Sequence, residues 1–216
     1  VLTDRQFVIE RVDEIIQSDE SRNLIYKMLL SDYPDVRSKG VEVVAKRPEG
    51  LFAKGVKESL EEPDIEIRKI AAIAIGEIGD KSAIPILKKG LKHFDQEFQL
   101  NCAWALAKMG DKQAFSYAVD FINNPNPQFQ KRAAEIFGFL KDRRCVGLLL
   151  QKLEEGELEV KLASSYALAK MGEIKGVEFL VRISEENIEP LRSQANVYLQ
   201  DISIPSSLRA KVPQIR

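Results

Sequence analysis

Apolar residues recur along this chain at a fixed distance. An apolar residue followed by a polar or basic one stands at Val36-Arg37, Ile67-Arg68, Phe98-Gln99, Phe129-Gln130, Val160-Lys161 and Leu191-Arg192, and every step is 31 residues. Four residues after each anchor come Gly40, Ala71, Cys102, Ala133, Ser164 and Ala195, all small. Eight after come Val44, Ile75, Leu106, Phe137, Leu168 and Leu199, all large and apolar. In the first five units, Val56, Leu87, Ala118, Leu149 and Leu180 follow at offset 20. Several columns in phase over five steps mark a repeat architecture.

Within a unit the apolar offsets 0, 4, 8 and 11 share one face of a helix turning about 100° per residue. Gly79, Gly110 and Gly172 stand just past that helix, where a left-handed C-cap favours glycine. An acid then precedes a second amphipathic stretch, as in SAIPILKKGLKH, and DYPD, EEPD, NNPNP and EEGE break the chain between units. Each unit therefore reads as a helix pair, and no stretch reads as a strand. One such pair cannot cover its own apolar faces, but stacked neighbours can. The predicted fold is all-α, an α-solenoid of helix pairs with a 31-residue period.

The predicted organisation is one repeat domain over residues 1–203. It comprises a degenerate helix pair at 3–31, regular repeats at 32–187 and a capping helix at 189–202, followed by an extended basic tail at 204–216. Two turns depart from the pattern, with Pro48 and Lys141 in the place of the glycine.

The stretches IEIRKIAAIAIGEIGDKSAIPILKKGL (65–91) and LEVKLASSYALAKMGEIKGVEFL (158–180) resemble HEAT-like repeats of the short, phycobilisome-lyase type. The shared pattern is apolar-Arg, two small residues, Ala-Leu-Gly, then Gly-Asp and a second helix. It covers roughly residues 20–202. The resemblance implies a solenoid fold. For function it implies a range, since that family mixes scaffolds, a few enzymes and a DNA-repair branch.

Composition narrows the chemistry. With 32 basic and 33 acidic residues the net charge is −1, which gives no global pull toward nucleic acid or an anionic membrane. No apolar run approaches the roughly 18 residues of a membrane span. Cys102 and Cys145 lack framework spacing, so no disulfide staple is expected and a reducing, cytoplasmic setting fits. The chain starts at Val1 rather than Met, as an excised or processed segment would, and a monomer or a domain of a larger protein is expected. The one histidine, His93, has no His-Glu partner, and no phosphate loop or zinc spacing occurs. No catalytic residue, metal or cofactor is expected.

The helix bearing the anchor should line the concave side, with offsets 2, 6, 9 and 13 toward the groove. Offset 6 brings Ile73, Trp104, Glu135 and Tyr166 there, and offset 2 brings Lys69, Leu100, Lys131 and Leu162. Ile73, Leu100 and Trp104 would form one apolar spot, Leu162 and Tyr166 (with Val197) another, and Lys131 and Glu135 would separate them. Tryptophan and tyrosine are the residue types that anchor interfaces. The alternative is that Trp104 and Tyr166 pack sideways between repeats. The acids Glu49, Asp80, Asp111, Asp142 and Glu173 recur at offset 13. Each precedes a helix, so capping is expected rather than metal binding. A basic row (Arg37, Arg68, Lys161 and Arg192, with Lys46, Lys108 and Lys170) is interrupted by Gln99, Gln130, Glu77 and Asp201. It reads as a solvated edge or an ion-pair ladder between repeats.

These features predict a non-catalytic scaffold or adaptor that binds a protein or peptide segment on its concave face. Lys69, Lys131 and Glu135 would set register and charge selectivity. The alternatives are an accessory subunit of a bilin-lyase-like enzyme system, implied by the resemblance, and a nucleic-acid-binding solenoid.

Overall fold

The computed structural model describes Met28, Val36, residues 56–186 and residues 188–202. The leading pair at 3–31 (Met28 aside), the departure at Pro48, the acid Glu49, the basic residues Arg37 and Lys46, and the tail at 204–216 lie outside the described residues. The chain divides into two compact units, Val1–Met109 and Gly110–Arg216.

The first unit contains α1 (Ile65–Ile78), a 3-10 turn (Lys81–Ala83), α2 (Ile84–Gly90) and α3 (Gln96–Lys108). The second contains α4 (Ala114–Phe121), α5 (Pro127–Leu140), a 3-10 turn (Arg143–Cys145), α6 (Val146–Glu155), α7 (Leu158–Lys170), α8 (Ile174–Glu185) and α9 (Leu191–Asp201). Among the described residues there is no strand.

The helices begin and end where local chemistry dictates. Asp64, Asp95 and Asn126 accept backbone N–H groups of Glu66 (2.9 Å), Phe98 (2.8 Å) and Gln128 (3.0 Å) at the starts of α1, α3 and α5. The turn acids do the same: Asp80 accepts from Ser82 N–H (2.9 Å), Asp111 from Gln113 N–H (2.9 Å) and Asp142 from Arg144 N–H (3.0 Å). Such caps satisfy N–H groups that the helix cannot. Glu173 departs from the column; it makes no side-chain cap and receives the Arg143 guanidinium from the neighbouring turn.

Gly79, Gly110 and Gly172 hold left-handed φ values of 74°, 83° and 79°, and Lys141 takes the same role at φ 49°. A side chain there costs about 1–2 kcal/mol. Lys141→Gly is therefore expected to raise stability by about 1 kcal/mol, a gain that urea unfolding would detect as a higher midpoint at unchanged slope.

The core follows the columns. Offset 4 supplies Ala71, Cys102, Ala133, Ser164 and Ala195, all buried, and offset 8 supplies buried Ile75, Leu106, Phe137 and Leu168. Leu87, Ala118, Leu149 and Leu180 meet them from the second helices. In the first unit α3 packs against α1 and α2; in the second, α7 packs between α5, α6 and α8, and α9 closes on α8. One member of the offset-4 column is mismatched: the Ser164 hydroxyl is buried with no hydrogen-bond partner. An unsatisfied buried hydroxyl costs about 1–3 kcal/mol. Ser164→Ala should raise the melting temperature, the opposite sign to an ordinary core substitution.

Candidate partner-binding surface

In the first unit the predicted anchors are interior. Leu100 and Trp104 retain 2% and 5% of their exposure. The Trp104 ring lies over Gly76, where a Cβ would come within 2.8 Å of it. Lys108 Nζ sits 4.9 Å from the ring centroid, and that ammonium pairs with Glu77 of α1. Lys69 is not a free charge either. It binds Glu66 (2.8 Å), Glu97 (3.0 Å) and Asp95 (3.4 Å). Burial disfavours its ammonium, but the hydrogen bonds to Glu66 and Glu97 outweigh it and raise its pKa. Ile73 is half-buried.

In the second unit Leu162 is also interior, at 3% exposure. Lys131 and Glu135 are half-exposed and paired, Lys131 with Glu159 (3.1 Å) and Glu135 with Arg132 (3.3 Å). The expectation of Leu100, Trp104 and Leu162 as exposed anchors is thus corrected. The helical wheel placed a solvent face opposite the core, but α3 and α7 are covered by neighbouring helices nearly all round. A signal for this was present. No charge occurs between Glu97 and Lys108, or between Lys161 and Lys170, and a helix without a charged face is a buried one.

Tyr166 behaves differently. It is half-exposed, and its ring stacks on Tyr198 of α9 with centroids 3.9 Å apart and planes within 8°. Its hydroxyl donates to Asp201. Lys170 Nζ lies 5.0 Å from the Tyr166 ring centroid, 5.8 Å from that of Phe139 and 3.4 Å from Asp201. Burial pushes the Tyr198 hydroxyl up to about 12, with Glu135 adding to the effect. Burial raises Tyr166 as well, followed by its bond to Asp201. The Tyr166 hydrogen bond, then Lys170, hold the Asp201 carboxyl below its usual range. Beside this cluster Val197 is 56% exposed. Tyr198 was not among the predicted residues, because the wheel of a single helix does not show which ring the next helix brings.

The same three parts recur in both units. Trp104-Ala-Leu-Ala-Lys108 and Tyr166-Ala-Leu-Ala-Lys170 each put a lysine over an aromatic ring one helical turn back. Each lysine is held by a carboxylate 31 residues away, Glu77 or Asp201. Lys108 and Lys170 are therefore rungs between repeats. At offset 1, Gln99 donates to the Leu91 carbonyl (2.6 Å) and Gln130 to that of Asn124 (2.6 Å), while Arg68 lies over the Phe98 ring (5.6 Å). Gln99, Gln130 and Arg68 are thus turned to the chain's own backbone and rings, and Arg192 pairs with Glu189 (2.7 Å), which does not support a phosphate-binding row.

Other reactive groups are engaged in packing. His93 Nδ1 accepts the Asp95 N–H (3.0 Å), and its ring stacks on Phe94. Both thiols are buried, and burial raises Cys102 and pushes Cys145 up to about 12, away from a thiolate. Among the described residues, no group of three His, Cys, Asp or Glu is placed to hold a metal ion, and no helix is long and apolar enough to cross a membrane.

Stacked helix pairs with turn glycines and capping acids are matched by known families. The HEAT repeats model matches residues 53–124. HEAT repeats are thus present over that stretch of the chain. Its fold is that of the HEAT-repeat α-solenoids, shared with the complex of CpcE and CpcF of phycocyanin lyase from Nostoc sp. PCC7120. That similarity has a TM-score of 0.61 and 19% identity, over 87% of this chain and 83% of that one. An engineered protein matches with a TM-score of 0.51 and 21% identity, over 95% of this chain and 64% of that one. A search of curated proteins returned no match. HEAT-like likeness at these identities establishes the fold, and function has to come from the site.

Proposed function

We propose that this HEAT-like protein is a non-catalytic scaffold that captures a segment of a partner protein on the second unit. The contact surface comprises Tyr166, Tyr198 and Val197, flanked by Lys131 and Glu135. One observation carries this reading: two half-exposed tyrosines stack on one another, and Val197, next to Tyr198 on the same helix, is 56% exposed. Aromatic rings with a polar tip and an apolar neighbour are what protein interfaces concentrate. Ile73 of the first unit is a secondary contact in this proposal. The non-catalytic part is supported by His93, Cys102 and Cys145 being committed to packing and capping. The compartment proposed is the cytoplasm, in keeping with two unpaired thiols.

Val197→Glu with Lys131→Gln tests the proposal, since both side chains reach solvent and the variant gives up only the surface Lys131–Glu159 pair. Capture from native extract is expected to lose the partner by tenfold or more with circular dichroism and melting unchanged. Equal capture by the two baits would remove this surface from consideration. A lyase-accessory role, suggested by the neighbour's lyase complex, is the second reading. It requires a visible absorbance change on adding a tetrapyrrole, which the scaffold reading does not.

A further inference from the structure

The cluster at α7 and α9 also specifies what kind of side chain it takes. Asp201 is its most exposed member, with 55% of its side chain in solvent. Its carboxylate receives the Tyr166 hydroxyl and the Lys170 ammonium. Both fall on Oδ2, so Oδ1 is open to a donor from outside and Oδ2 regains a place once Lys170 leaves. Next to it Tyr166 and Tyr198 stack face to face, so each ring keeps only its outer face for a further partner. A flat aromatic surface beside an exposed carboxylate suits a guanidinium better than an ammonium. Guanidinium is planar and weakly hydrated, stacks on rings, and presents a fork to the two carboxylate oxygens at once. The chain itself demonstrates that a cation is accepted here: Lys170 lies over Tyr166 and Phe139 and reaches Asp201.

We propose that Tyr166, Tyr198 and Asp201 form a subsite for an arginine side chain of the partner segment, with Lys170 as the intramolecular cation that arginine displaces. The inference rests on the scaffold reading above and gives it a chemical specificity. The corresponding place in the first unit does not offer the same subsite, because Trp104 is buried beneath Lys108 and Glu77.

The test uses the full chain and Gly-Ser dodecapeptides carrying two arginines, two lysines or two citrullines. Citrulline keeps the shape of arginine and removes its charge. Arginine peptide should bind about tenfold or more tighter than citrulline peptide, with lysine peptide between. Asp201→Asn should bring the arginine peptide down to the citrulline level. Lys170→Met should strengthen arginine binding about threefold or more, because the competing cation is gone; a misfolded variant cannot mimic that gain. Equal affinity for arginine and citrulline, or no gain in Lys170→Met, would overturn the subsite. If extract capture still depends on Val197 and Lys131 while arginine shows no preference, only the subsite falls. If capture does not depend on them, the scaffold reading falls with its own experiment.

Discussion

Trp104→Ala is expected to destabilise the protein by about 3–5 kcal/mol, the range for removing a buried aromatic side chain. An exposed groove anchor would cost little folding stability and much binding. The structure places this ring in the interior, at 5% exposure, against Gly76 and under the Lys108 ammonium that Glu77 holds. Truncation leaves a cavity between α1 and α3 that neither helix can close without moving its backbone. It also strips Lys108 of the ring beneath it. Two-state urea unfolding would read the change as a lower midpoint with little change in slope. Trp104→Phe should recover most of the loss, since a ring still fills the site. In the second unit, Tyr166→Phe removes only a hydroxyl from a half-exposed ring and should cost far less than Trp104→Ala.

Gly176→Ala is the second large effect, and here one added methyl is decisive. A Cβ at 176 would stand 2.4 Å from the Ser165 carbonyl oxygen and 2.7 Å from the Ala169 backbone nitrogen, both on α7. These are backbone atoms, so α8 would have to move away from α7 as a body. Overpacking of this kind costs about 1–3 kcal/mol and occasionally more. The hydrophobic cluster of Val177, Leu180 and Ile183 moves with α8, which argues for the upper end of that range. Gly147→Ala is the internal control. Gly147 sits in α6 with nothing near its would-be Cβ, and glycine in a helix costs about 0.5–1 kcal/mol relative to alanine. The same substitution is thus expected to destabilise at 176 and stabilise at 147, and thermal melts of the two variants would show opposite signs.

The repeat frame was legible because packing imposes the same demand on every unit. Column 4 must be small where neighbouring helices approach, and Ala71, Cys102, Ala133 and Ala195 meet that demand. The turn glycines and the capping acids Asp80, Asp111 and Asp142 were equally readable, since left-handed φ and free N–H groups are local requirements, whereas Glu173 pairs with Arg143 instead. Lys141 marked its own exception in the sequence and keeps the left-handed turn regardless. The site was less legible. A wheel drawn for one helix assumes one buried side, but α3 and α7 have neighbours around most of their circumference. That is why Leu100, Trp104 and Leu162 came out interior. Tyr198 was missed for the complementary reason: its value lies in stacking on Tyr166 from another helix, and no spacing within α9 encodes that. The two ALAKMG copies carried the most information, since each preceding aromatic residue and its lysine build the same ring, ammonium and carboxylate arrangement. In the first unit that arrangement is buried, and in the second it is half open.

That difference is the centre of the account, and the protein's single tryptophan reports on it. The direct measurement is acrylamide quenching of Trp104 fluorescence in the native chain, compared with a Trp104→Phe, Tyr198→Trp variant that moves the reporter to α9. Blue-shifted, weakly quenched emission is expected from Trp104, and several-fold stronger quenching from the reporter at 198. Strong quenching at 104 with protection at 198 would place the accessible aromatic surface in the first unit and contradict the assignment.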